Sequence, residues 1–179
     1  MQHAIFFDRD GVINPLVARP DGRHTSPWSV KEFVLLPRVR EAFALVASHY
    51  KCFVVTNQPH VGREMTTDDI DAINRHLMSQ IPEITAIAYC SVQGSSHYKP
   101  HHGMLLDLVA QHNLSPLMRH HYMIGDRWKD IACGHTAGTQ TVFVGDKYVY
   151  GDYPYHMIGP DYTASDIYTA CHLIMERTV

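Results

Sequence analysis

No stretch of this chain comes near the roughly 20 consecutive apolar residues that cross a bilayer, so no membrane-spanning helix is expected. Cysteine is scarce too. The four present, at positions 52, 90, 133 and 171, form no Cys-x-x-Cys pair, which argues against a dithiol redox motif or a compact zinc knuckle and leaves buried thiols as the expectation. Charge is also sparse: 18% of residues are charged and the formal net charge is −3, so nothing draws the whole surface to a nucleic-acid backbone, and a nucleic-acid partner is disfavoured. A small anionic ligand would need a locally positive pocket. The amino terminus enters an apolar run at once, without a basic stretch, an apolar signal core and a cleavage site, which points to cytoplasmic residence. The 179 residues suffice for one sizeable core and little more, so residues 1–179 are expected to form a single domain, as a monomer or a small homo-oligomer.

What the chain does have is alternation. His3 to Phe7, Cys52 to Thr56, Ile84 to Tyr89, Tyr122 to Gly125 and Thr141 to Val144 are short apolar runs rich in β-branched and aromatic residues, the composition of buried strands. Between them, Pro37 to Ser48, Thr67 to Ser79, Gly103 to Gln111 and Trp128 to Ala137 have helical periodicity, and Asp161 to Met175 adds a short strand and a helix. This order predicts an α/β fold, a Rossmann-like three-layer α/β/α arrangement around a mostly parallel sheet. Three irregular regions interrupt it. Residues 14–29, with Pro15, Pro20, Asp21-Gly22 and Pro27, are expected to form a loop over an active site; Gly94 to His102 precedes a helix; Lys147 to Tyr162 concentrates tyrosines that could bind a partner or merely cover a sheet edge. Fourteen histidines are scattered along the chain and would raise its charge in mild acid.

The chemistry-bearing residues sit where predicted strands end. Asp8 and Asp10 follow the first strand, two apart and next to Gly11, so one carboxylate can serve as a nucleophile toward phosphorus and the other as the proton carrier. Gly11 lets the chain turn close to a phosphate. Thr56 and Asn57 follow the second strand, where a hydroxyl and a backbone amide can donate to phosphoryl oxygens. Lys99, before Pro100, offers a cation to steady Asp8 and a transferred phosphoryl group, and Gly125-Asp126 is followed by Asp130 at a spacing that can point both acids inward. Several acids plus a phosphate in one crevice repel, and Mg²⁺ relieves that repulsion. The expected ligands are Asp8, the Asp10 backbone carbonyl and Asp126, with Asp130 in support by orienting metal-bound water or Lys99.

Taken together, Asp8-Arg9-Asp10-Gly11-Val12-Ile13-Asn14, Phe33-Val34-Leu35-Leu36-Pro37, Thr56-Asn57-Gln58, Lys99-Pro100 before Gly103-Met104-Leu105, Gly125-Asp126 with Asp130, and Ala137-Gly138 resemble the haloacid dehalogenase-like (HAD) phosphatases over nearly the whole chain. The likeness is to the branch of the histidinol-phosphate and heptose-bisphosphate phosphatases. The resemblance implies a minimal cap and hydrolysis of a small phosphate monoester, a sugar phosphate or related metabolite, with Mg²⁺ and an aspartyl-phosphate on Asp8. The chain departs from the branch in two places. Pro59-His60-Val61-Gly62-Arg63 replaces a glycine-containing segment, and the Cys-x-His/Cys-x-Cys zinc loop is reduced to Cys90-Ser91-Val92 and Ser96-His97-Tyr98-Lys99, so that loop is expected to be short and metal-free. Tyr98 stands where many members carry an arginine before the lysine, which counts against a heptose bisphosphate; Arg63 is the candidate for a distal anion contact, and Cys90 with nearby histidines is an alternative zinc arrangement. Two other readings stay open: a phosphotransferase using the same intermediate, and a nonenzymatic binding protein using Tyr148, Tyr150, Tyr153 and Tyr155.

Overall fold

Apolar strands of three to eight residues, alternating with amphipathic helices, have both faces to bury, and the chain does so in three layers. A computed structural model describes residues 2–145 and 159–178. The strands are β1 (His3–Phe7), β2 (Val17–Ala18), β3 (His24–Thr25), β4 (Tyr50–Asn57), β5 (Ile84–Cys90), β6 (Tyr122–Gly125), β7 (Gln140–Val144) and β8 (Tyr162–Ala164). The helices are α1 (Val39–Val46), α2 (Thr67–Gln80), α3 (Gly103–Gln111), α4 (Trp128–Ala137) and α5 (Ile167–Glu176). Six strands form one sheet in the order β5-β4-β1-β6-β7-β8, every pair parallel, while β2 and β3 make a separate antiparallel pair. The predicted helix from Pro37 begins two residues later, because Arg38 adopts a left-handed conformation (φ 62°) before Val39. Tyr148, Tyr150, Tyr153 and Tyr155 lie outside the described residues.

The side-chain alternation of the strands sorts the core into two halves. Ile5, Phe7, Cys52, Val54, Ile124 and Val142 face α1, α2 and α5, and Ala4, Phe6, Phe53, Val55 and Met123 face α3 and α4. Helix α2 shows why the register is secure. Thr66 and Asp69 form a reciprocal capping box, Thr66 Oγ1 accepting from Asp69 N and Asp69 Oδ2 accepting from Thr66 N, and Ile70, Ile73 and Leu77 then fall on the buried stripe. Since β1 sits centrally with β4 on one side and β6 on the other, the carboxyl ends of these three strands open into one crevice.

The opposite end of the sheet carries an acid-sensitive contact. Buried His121 accepts from Ala4 N at Nδ1 (2.8 Å) and donates from Nε2 to Ser115 O (2.8 Å), a pattern open only to the neutral ring. Burial, with the neighbouring His3 and His120 rings, holds its pKa below 6.5, although the bond to Ser115 acts the other way. The folded state therefore binds fewer protons than the unfolded one: there is no cost above pH 6.5, and stability falls as pH drops from there until it passes the lowered folded pKa. The slope is bounded at about 1.4 kcal/mol per pH unit for one proton. Urea midpoints between pH 5 and 7.5 should fall toward acid, and His121→Gln, which keeps one donor and one acceptor, should flatten that fall. An unchanged slope in the variant would place the acid sensitivity elsewhere.

Candidate active site

The sharp turn after β1 is built on one carbonyl: Arg9 O accepts from the amides of Ile13 and Asn14, while Gly11 N donates to Asn14 O. Asp8 N donates to Ile124 O (2.8 Å), extending the β1–β6 ladder by a residue and fixing the Asp8 side chain at the strand end. Gly11 has φ 101°, and a Cβ there would sit 2.1 Å from Asp126 Oδ2, so only glycine admits the Asp126 carboxylate against the turn.

Lys99 is at the centre. Its buried Nζ donates to Asp8 Oδ1 (2.7 Å) and Val55 O (2.8 Å) and pairs with Asp130 Oδ1 (2.7 Å), which uses all three ammonium hydrogens. Asn57 holds the Lys99 backbone in place, Nδ2 donating to Lys99 O and Oδ1 accepting from Lys99 N, both at 2.9 Å. Burial alone would lower the lysine pKa, but Asp130 and Asp8 reverse this and keep it firmly protonated. Burial raises the Asp8 pKa to about 7, with Asp130 adding to the rise and Lys99 opposing it; burial and the charges of Asp8 and Asp130 raise Asp126 to about 8. One cation among these three acids leaves an excess of negative charge, which a divalent cation would relieve.

Ligand oxygens of Asp8, Asp126 and Asp130 lie within 4.8 Å of one another. They are not equivalent. Asp130 Oδ1 is taken by Lys99, and Oδ2 accepts from Arg127 N at the start of α4 (3.0 Å), whereas Asp126 Oδ1 is buried with no hydrogen-bond partner. An orphaned carboxylate oxygen in this cluster fits a hard cation with oxygen ligands, the donor set that suits Mg²⁺. Asp8 and Asp126 could hold such an ion, while Asp130 is bound to Lys99.

Asp10 points into a different set of partners. Its carboxylate accepts from Arg9 Nε and Nη2 (3.2 Å), Asn14 Nδ2 (3.0 Å), Thr56 Oγ1 (3.3 Å) and Gln58 Nε2 (2.6 Å). The Thr56 hydroxyl expected to meet a phosphoryl oxygen thus donates to Asp10. Asp8, Asp10, Thr56, Asn57 and Lys99 line one cavity of about 190 Å³. Arg63 does not; it is exposed on the turn after β4, donating its backbone amide to His60 O. Cys90 Sγ lies 3.1 Å from Ser95 Oγ, and His97 Nε2 is paired with Asp107 (2.9 Å).

The structure adds residues that sequence reasoning left without a role. The loop over residues 14–29 is tied down by Arg19, which forks onto Glu32 (2.7 and 2.9 Å) and stacks its guanidinium 3.6 Å over the Trp28 ring. The loop it holds contributes Leu16, His24, Thr25 and Ser26 to the cavity lining, to which Tyr98, Arg127 and Lys129 also belong. Arg127 and Lys129 flank Asp126 and Asp130 in sequence, which was the available signal; His24 carried none, being one histidine among fourteen.

A family model described as HAD-hydrolase-like matches residues 97–170. The D-glycero-alpha-D-manno-heptose-1,7-bisphosphate 7-phosphatase of Burkholderia mallei is 32% identical over 79% of this chain and 78% of its own length. The D-glycero-D-manno-heptose-1,7-bisphosphate 7-phosphatase of Chlorobaculum tepidum is 28% identical over 93% of this chain and 90% of its own. The crystal structure of the D,D-heptose 1,7-bisphosphate phosphatase from B. bronchiseptica, complexed with magnesium and phosphate, shares the fold with a TM-score of 0.79 at 22% identity, over 99% of each chain. Among the described residues of the present chain, no helix is long and apolar enough to cross a membrane. Carboxylates at the ends of parallel strands around one buried lysine, and relatives aligned over most of both chains, lead to one conclusion: the chain belongs to the HAD-like phosphatases, in the heptose-bisphosphate phosphatase branch.

Proposed function

We propose that Asp8, Asp10, Lys99 and Asp126 divide the work of a Mg²⁺-dependent phosphomonoesterase that acts, as a single-domain cytoplasmic protein, on a phosphorylated sugar. An Asp8 carboxylate oxygen attacks phosphorus, the ester P–O bond breaks, and Asp10 gives its proton to the departing alkoxide. Water then attacks the aspartyl-phosphate, its proton passes to Asp10, and the Asp8 carboxylate is released with inorganic phosphate. Lys99 keeps the Asp8 oxygen oriented and balances charge on the transferred group. Asp8, the Asp10 backbone carbonyl and Asp126 would hold Mg²⁺, which would supply charge neutralisation and polarisation of the phosphoryl oxygens. The observation that carries the reading is the unpartnered Asp126 Oδ1 beside the Asp8–Lys99–Asp130 group.

The substrate fitting this cavity is a sugar phosphate with a second anionic group. Tyr98 replaces the arginine of many relatives, yet Arg127 and Lys129 line the cavity beside it, and the relatives' names specify bisphosphates. A sugar bisphosphate should therefore be turned over with kcat/KM about tenfold or more above the matching monophosphate, with Mg²⁺ present and EDTA abolishing both, and Arg127→Gln should remove the preference. Equal rates for the two esters would sink the second-anion reading. Substrate loss exceeding phosphate release would favour the phosphotransferase alternative.

A further inference from the structure

A side chain that must hand a proton to one leaving oxygen gains from being fixed, since a misplacement of about 1 Å can cost on the order of 100-fold. Asp10 is fixed by three structural elements. Arg9, fully buried, reaches both Asp10 oxygens and anchors its third nitrogen, Nη1, on Asn74 Oδ1 of α2 (3.3 Å). Gln58, also fully buried, makes the shortest contact, Nε2 to Asp10 Oδ2 at 2.6 Å, and its other amide hydrogen reaches Thr56 Oγ1 at 2.8 Å. Its backbone amide is tied to Cys90 O at the end of β5 (2.8 Å). A buried arginine whose fork serves an adjacent acid is costly to desolvate, and the carboxylate it pairs with offsets part of that cost. Neither Arg9 nor Gln58 lines the cavity, while Asp10 does.

We infer that Gln58, with Arg9 braced on Asn74, is a positioning residue that sets the Asp10 carboxyl against the leaving-group oxygen. The inference rests on the proton-carrier role of Asp10 proposed above. Because the clamp joins β1, β4 and α2, the helix takes part in the chemistry without touching the substrate. Loss of the clamp leaves attack by Asp8 intact and impairs protonation of the leaving group, so the effect depends on how much the leaving group needs the proton.

The test compares two esters in the Mg²⁺-loaded enzyme: an alkyl phosphate such as a sugar phosphate, whose alkoxide leaves poorly, and p-nitrophenyl phosphate, whose phenolate leaves readily. The value of kcat/KM reports the steps through departure of the leaving group. Gln58→Leu should lower it about 30-fold or more for the alkyl ester and less than about threefold for the aryl ester, following the usual size of general-acid catalysis. Asp10→Asn should show the same leaving-group dependence, and adding Gln58→Leu to it should cost nothing further, as expected for two residues acting through one group. Asn74→Ala, on the far side of Arg9, should show a weaker form of the same pattern if Gln58→Leu fails to fold. Equal losses for both esters, or full additivity with Asp10→Asn, would overturn the inference and leave the phosphatase reading standing. Wild-type enzyme inactive toward every ester would overturn both.

Discussion

Asp8→Asn should abolish phosphate release, by on the order of 10⁴-fold or more, and at the same time make the metal-free protein more stable at pH 8. The first effect follows from losing the nucleophile. The second follows from crowding: burial and the charge of Asp130 raise the Asp8 pKa from 3.8 to about 7. A carboxylate raised in this way binds its proton more tightly folded than unfolded, so stability declines as pH climbs from about 3.8 to 7, and the full cost applies above. The amide oxygen can still accept from Lys99, while the charge is gone. Melting in EDTA should show Tm of the variant above wild type at pH 8 and the gap closing toward pH 4. A variant less stable than wild type at pH 8 would mean that the Asp8–Lys99 pair outweighs the burial of charge.

Lys99→Met should act in the opposite direction on stability and still remove most activity. Methionine fills a comparable apolar volume but leaves Asp8, Asp130 and Val55 O without the donor they share. Breaking a buried ion pair from one side costs about 3–5 kcal/mol, and loss of one charged contact to the reacting group costs about 10²–10³ in kcat. Urea denaturation at pH 8 reads the first, and steady-state phosphate release reads the second. Activity loss with unchanged stability would show that the Asp8 and Asp130 carboxylates do not need the lysine in order to stay buried. Lys99→Arg should not rescue: three acceptors converge on one nitrogen, a point charge rather than a planar fork.

The sheet was largely legible before any coordinates. β1, β6, α3 and α4 form over the residue ranges that periodicity predicts, because apolar strands bounded by Gly and polar turns leave little choice of register. α1 begins at Val39, after Arg38 in a left-handed conformation that has no sequence signature such as glycine. Asp8, Asp10, Thr56, Asn57 and Asp126, at or just past strand ends, could be picked out because parallel topology brings successive carboxyl ends together, and Lys99 follows in the loop after β5. Arg63 fared differently: its charge was visible, but the turn carrying it leads away from the cavity.

Sequence by itself therefore determined the α/β class, the chain positions of the carboxylates and the lysine, and the kind of chemistry such residue types can perform. These depend on local pattern and on the rule that parallel strands end on one side. Tertiary structure alone decided how the acids are shared out. Asp130 has both oxygens committed, Asp126 Oδ1 is left without a partner, and Asp10 is clamped by Arg9, Gln58 and Asn14 instead of standing free beside Asp8. The physical reason is that a hydrogen bond is satisfied by whichever donor lies about 3 Å away, and contacts between residues as far apart as Asp10 and Gln58, or Lys99 and Asp8, are set by packing of the strands that carry them.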